Sequence, residues 1–105
     1  GDFNFSSNTI SPDNDGFEDI LQINYSMSTG GLLGKFEIYD DRGRLIRTLF
    51  TNELLGTNGT FSWDGLNEKG LKTSIGTYIG VFEAFAIEGG TVFTKRKAFV
   101  VAGQL

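Results

Sequence analysis

Apolar and polar residues alternate along most of this chain with a period of two. In Leu21-Gln22-Ile23-Asn24-Tyr25-Ser26-Met27 the odd positions are apolar and the even ones polar, the pattern of a strand with one buried face. The same period returns in Lys35-Phe36-Glu37-Ile38-Tyr39. Asp40-Asp41-Arg42-Gly43 then supplies turn chemistry, and Leu45-Ile46-Arg47-Thr48-Leu49-Phe50 runs back, which predicts a hairpin. Thr60-Phe61-Ser62-Trp63 is a short alternating strand ended by Asp64-Gly65. Thr77 to Ile87 is the longest β run, with Ile79, Val81, Phe85 and Ile87 on one side and Tyr78, Phe82, Ala84 and Ala86 on the other. Apolar groups on both faces predict a central strand. Glu88-Gly89-Gly90 turns into a last strand from Thr91 to Val101, where Phe93, Phe99 and Val101 share a face with Lys95 and Lys97.

Helical periodicity is absent. Asn52-Glu53-Leu54-Leu55 has the makings of one helical turn but is too short to stand as a helix. With Asp2-Phe3-Asn4-Phe5 read as an opening strand, about seven strands follow one another with a turn signal roughly every 8 to 12 residues. The expected fold is an all-β, immunoglobulin-like, two-sheet antiparallel sandwich. Its 105 residues are expected to form one domain, residues 1–105, excised from a larger protein. Gly1 reads as the edge of such a cut.

Composition removes most enzyme chemistry. The chain has neither Cys nor His, so disulfides, thiolate nucleophiles, Cys-based zinc sites, a Ser-His-Asp triad and imidazole ligands are all excluded. Ten Phe, three Tyr and one Trp supply a core without covalent staples. Thirteen acidic against nine basic residues give a net charge of -4, which argues against nucleic acid as a partner. No apolar run approaches the ~20 residues of a membrane span. The chain is expected to be no enzyme and to need no cofactor.

Three segments carry a family resemblance. They are Ile10-Ser11-Pro12-Asp13-Asn14-Asp15-Gly16-Phe17-Glu18-Asp19, then Phe36-Glu37-Ile38-Tyr39-Asp40-Asp41-Arg42-Gly43-Arg44-Leu45-Ile46-Arg47-Thr48-Leu49, then Trp63-Asp64-Gly65-Leu66-Asn67-Glu68-Lys69-Gly70 with Gly76-Thr77-Tyr78. Together they resemble bacterial immunoglobulin-like domains similar to that of the flagellar hook-capping protein. Relatives of this kind stand at the C-terminus of secreted and gliding-associated proteins of Bacteroidetes, where they carry the type IX sorting signal. The resemblance implies a noncatalytic accessory domain of a secreted or cell-surface protein, with the rest of its parent chain and the secretion or surface machinery as protein partners.

Several residues have a functional and a plainer reading. Asp13, Asp15, Glu18 and Asp19 crowd four acids into one segment. Asp13, Asp15 and Asp19 fall at the third, fifth and ninth positions of a calcium loop, but Gln22 stands where the bidentate Glu belongs. The alternative is an Asx-rich loop closed on its own backbone. Lys95, Arg96 and Lys97 either keep an edge strand from unwanted pairing or dock an acidic partner, including an anionic polysaccharide. Trp63 reads as a core plug, with Asp64 in an Asx turn. Asp40 and Asp41, beside Arg42 and Gly43, read as turn formers with a surface ion pair. A rival function, a carbohydrate-binding module of a secreted enzyme, needs Tyr39, Tyr78 and Trp63 aligned on an exposed face. A glycosidase would pair Glu37 with Glu83.

Overall fold

The computed structural model describes residues 1–12 and 19–103. Among these described residues eight strands follow in order: β1 (Asp2–Phe5), β2 (Thr9–Ile10), β3 (Leu21–Ser26), β4 (Leu32–Asp40), β5 (Leu45–Leu55), β6 (Asn58–Trp63), β7 (Gly76–Phe85) and β8 (Thr91–Val101). Among the described residues there is no helix. One sheet has the order β1-β3-β6 and the other β2-β8-β7-β4-β5. Setting strands 1, 3 and 6 against strands 4, 7 and 8 is the division of an immunoglobulin-like sandwich, with β5 and β2 extending the second sheet. The all-β sandwich expected from the alternation is present, and it needs no cysteine.

The inner faces are aromatic. Trp63, Phe3, Phe36, Phe82 and Phe99 are fully buried with Ile10, Leu21, Ile23, Ile38 and Val101. Phe36 meets Phe3 edge-on at 5.6 Å and Phe61 at 5.0 Å, so rings from β1, β4 and β6 interlock across the layers. Each such pair adds about 0.5–1.5 kcal/mol beyond area burial. Gly80 on β7 makes room for this stack, because a Cβ there would lie 2.6 Å from Phe36 Cζ.

β7 is the middle strand of its sheet, hydrogen-bonded to both β4 and β8. Its two-sided apolar pattern follows from that place. Tyr78, Phe82 and Ala84 are buried on the inner face, and Val81 on the outer face is covered by its cross-strand neighbours Glu37 and Arg96. Near the start of β7, Tyr78 Oη donates to the Ser74 carbonyl at 2.6 Å, the tyrosine corner of this fold class. Trp63 plugs the core from β6 and donates Nε1–H to the Leu66 carbonyl at 2.9 Å. The Asx turn is present too, with Asp64 Oδ1 accepting from the Leu66 N–H at 3.0 Å.

The structure departs from the alternation in four places. Thr9–Ile10 is an eighth strand and pairs parallel to Val100–Val101, so one pairing in the sandwich is not antiparallel. Two residues are too few for periodicity to register. Asn52-Glu53-Leu54-Leu55 continues β5 instead of coiling, with Asn52 at φ 53° forming a bulge opposite Lys35. The ladder to β4 outweighs the local helical tendency there, and Leu55 is buried by it. β7 stops at Phe85, and Ile87 sits exposed in the turn that Gly89 and Gly90 close with positive φ. Asp40 pairs with Arg44 rather than Arg42 and is buried, because the turn wraps its backbone around the carboxylate.

Candidate interaction surface

Alternation along β8 divides the basic triplet between two faces. Lys95 and Lys97 project on the side of Phe93 and Phe99, toward the seam between the sheets. There both ammonium groups reach Asp2 of β1, at 3.2 and 3.3 Å from Oδ1. Lys97 also lies 5.4 Å above the Phe3 ring, a cation–π contact. The same Asp2 oxygen accepts the Phe3 N–H at 2.7 Å. The hydrogen bond from Lys95, then that of the Phe3 amide and that from Lys97, hold the Asp2 carboxyl down to about 2. These contacts close the open side of the sandwich with one carboxylate for two lysines.

Arg96 projects from the opposite face, the outer side of the five-stranded sheet. Among the described residues it makes no ion pair or side-chain hydrogen bond. It borders a shallow groove of about 310 Å³ lined also by Ile79, Val81 and Glu83 of β7 and by Glu37 and Tyr39 of β4. Lys35 sits between the two glutamates, 3.6 Å from Glu37 and 3.5 Å from Glu83. Burial works against the Lys35 charge, but the carboxylates outweigh it and raise the lysine above its usual range. Tyr39 donates to Glu37 at 3.1 Å, and burial first, then this bond, raises the phenol. Glu37 and Glu83 thus form an ion-pair triad with Lys35 on a sheet face.

The three rings required for sugar binding are not aligned. Trp63 and Tyr78 lie in the core, at 1% and 5% exposure, Trp63 edge-on to Phe99 and Tyr78 stacked on it. Tyr39 alone is half-buried on the outer face. Trp63 is the core plug that the sequence reading expects, and the exposed alignment needed by the rival carbohydrate-binding reading is absent for Trp63 and Tyr78. Of the calcium residues, Asp13 and Asp15 lie outside the described residues, and Asp19 is half-buried just ahead of β3. Among the described residues no group of three or more acids is gathered to hold a metal ion.

Two residues that matter to this surface are not singled out in sequence. Asp2 is 93 positions from Lys95 by the numbering, and only the packing of β1 against β8 joins them. Lys35 carried a signal, since it shares a strand face with Glu37 two residues on.

No protein-family model matches the chain, and no curated protein sequence matches it significantly. Solved structures do. The chain is similar to FlgD from Pseudomonas aeruginosa with a TM-score of 0.63 and 20% identity, over 78% of this chain and 62% of that one. It is similar to FlgD from Xanthomonas campestris, whose structure is described in terms of hook capping in flagellar assembly, with a TM-score of 0.60 and 21% identity over 78% of this chain and 57% of that one. It is also similar to PorZ of Porphyromonas gingivalis, an essential bacterial surface component of the type IX secretion system, with a TM-score of 0.57 and 17% identity. That likeness covers 95% of this chain and 11% of PorZ. The chain therefore spans less than two thirds of each of these proteins, and the likeness is one of fold. No described helix is long and apolar enough to cross a membrane.

Proposed function

We propose that this chain is a noncatalytic immunoglobulin-like accessory domain of a secreted or cell-surface bacterial protein, serving sorting or attachment through the type IX machinery. The observation that supports it most directly is the similarity of nearly the whole chain to a small part of PorZ. The likeness to FlgD supports the broader reading of a domain that works through contacts with other proteins. The exposed chemistry fits that reading. Paired charges, turns and an arginine without an ion pair among the described residues face outward, while most aromatic residues fill the core.

The test is transport. Residues 1–105 fused behind a secreted reporter in a host with type IX secretion are expected to carry the reporter to the cell surface. Retention of the fusion in the periplasm, with the domain folded, removes the sorting role.

A further inference from the structure

β8 is an edge strand for most of its length. Among the described residues β2 alone covers it, at Val100 and Val101, where the Val100 N–H donates to Asn8 and the Ala102 N–H to Ile10, both at 2.8 Å. Backbone N–H groups alternate sides along a strand, so the same edge carries the amides of Ala98, Arg96 and Thr94. Among the described residues no strand and no turn takes these three donors. The backbone N–H groups of the intervening residues Lys95 and Lys97 face β7, which holds the strand in register with Lys97 opposite Gly80 and Lys95 opposite Phe82.

A row of unmet donors and acceptors is a template for another strand. Charge decides which one. The stretch holds three successive cations against the single carboxylate of Asp2, on a chain whose net charge is -4. A second copy of β8 laid on this edge would bring Lys95, Arg96 and Lys97 against their own kind, and like charges directly opposite destabilise a strand pair. The edge therefore repels itself and attracts an acidic strand. On the outer face such a strand would meet Arg96, whose guanidinium makes no ion pair or hydrogen bond among the described residues. On the seam side it would meet Lys95 and Lys97, which already share one oxygen of Asp2 and have donors to spare.

We propose that the β8 edge from Thr94 to Ala98 accepts an extended acidic segment of a partner protein by strand addition, with carboxylates set against Lys95, Arg96 and Lys97. This deepens the accessory-domain reading and rests on it for the partner's being a protein.

The experiment uses the whole chain and an end-blocked peptide with three consecutive Glu flanked by Val, which presents carboxylates on both faces of an added strand, with the same peptide carrying Lys for Glu as control. Amide hydrogen exchange is followed residue by residue as the peptide is titrated. The acidic peptide is expected to bind and to slow exchange at Thr94, Arg96 and Ala98, while the basic peptide does neither. Arg96→Glu is expected to weaken binding on the order of tenfold, about 1.4 kcal/mol. Thr94→Pro removes one outward N–H and leaves the charges and the ladder to β7 in place, and is expected to weaken binding with its circular dichroism unchanged. If that variant does not fold, the exchange pattern and Arg96→Glu decide. Binding without protection of those amides, equal binding of the basic peptide, or no binding overturns the inference. Peptide binding with a reporter that stays in the periplasm would instead overturn the sorting role and leave strand addition standing.

Discussion

Asp40 and Arg44 clasp each other across the turn between β4 and β5: Arg44 Nε donates to Asp40 Oδ2 at 2.7 Å, while Asp40 Oδ1 accepts the N–H groups of Arg42 and Arg44, each at 2.9 Å. The Arg44 amide first, with the guanidinium and the Arg42 amide added, lowers the Asp40 carboxyl below its ordinary range against the opposing effect of burial. Because the folded pKa lies below the unfolded one, near about 3.9, the stabilisation is fully present above that value and is lost as pH falls through the folded pKa. Asp40→Asn is expected to lower the urea midpoint at pH 7 and to shrink the loss of stability seen on acidification below about pH 4. Urea titrations at several pH values check it, and parallel acid profiles for the two proteins would refute it.

The seam pair makes a separate spectroscopic prediction. The Asp2 carboxyl is expected to titrate at about 2 in carboxyl-detected NMR, and to move up toward the ordinary ~3.9 in Lys95→Ala or in concentrated salt. The sign matches that of Asp40, so Asp2 stabilises above the unfolded value and ceases to do so as pH drops toward about 2. An unchanged titration in Lys95→Ala would detach Asp2 from β8.

Trp63 combines volume with a hydrogen bond. Trp63→Ala is expected to cost about 3–5 kcal/mol through the cavity it leaves. Trp63→Phe keeps part of the volume and loses the bond to Leu66, and about 1–3 kcal/mol is expected. The Leu66 carbonyl stays satisfied in that variant, because Arg47 Nη1 also donates to it at 3.1 Å. Denaturant unfolding of both variants tests the ranking, and equal effects would sink it.

Gly80→Ala tests the closeness of the two sheets. The added methyl would enter the van der Waals shell of Phe36 Cζ, at 2.6 Å, and contact Phe5 Cζ at 3.4 Å. Phe36 is fully buried among rings and has little room to yield, so overpacking is expected to cost about 1–3 kcal/mol. A neutral or stabilising result, measured by thermal unfolding, would mean that the ring stack is looser than these contacts require.

Much of the fold is legible in short windows. Leu21 and Ile23, Phe36 and Ile38, and Phe82 and Ala84 are buried as their alternation predicts, because the pleat sends successive side chains to opposite faces whatever the strand pairs with. The candidate surface is less legible. Lys95 and Lys97 read as exposed cations of an edge, yet their lengths span the seam to Asp2. Trp63 and Tyr78 are amphipathic, and a window of sequence does not distinguish a ring displayed for a ligand from one whose polar atom is met by a backbone carbonyl. The bulge at Asn52 and the two-residue β2 are set by their partners, β4 and β8.

What the chain dictates unaided is its β character, the places where it turns, and which side of each strand is apolar, since all three depend on neighbours one to four residues apart. Tertiary structure alone decides which edges stay open, that Asp2 serves Lys95 and Lys97, and that Arg96 stands apart from both on the other face. Those relations join segments distant in sequence, and their positions follow from how the two sheets bury their rings against each other rather than from any local preference.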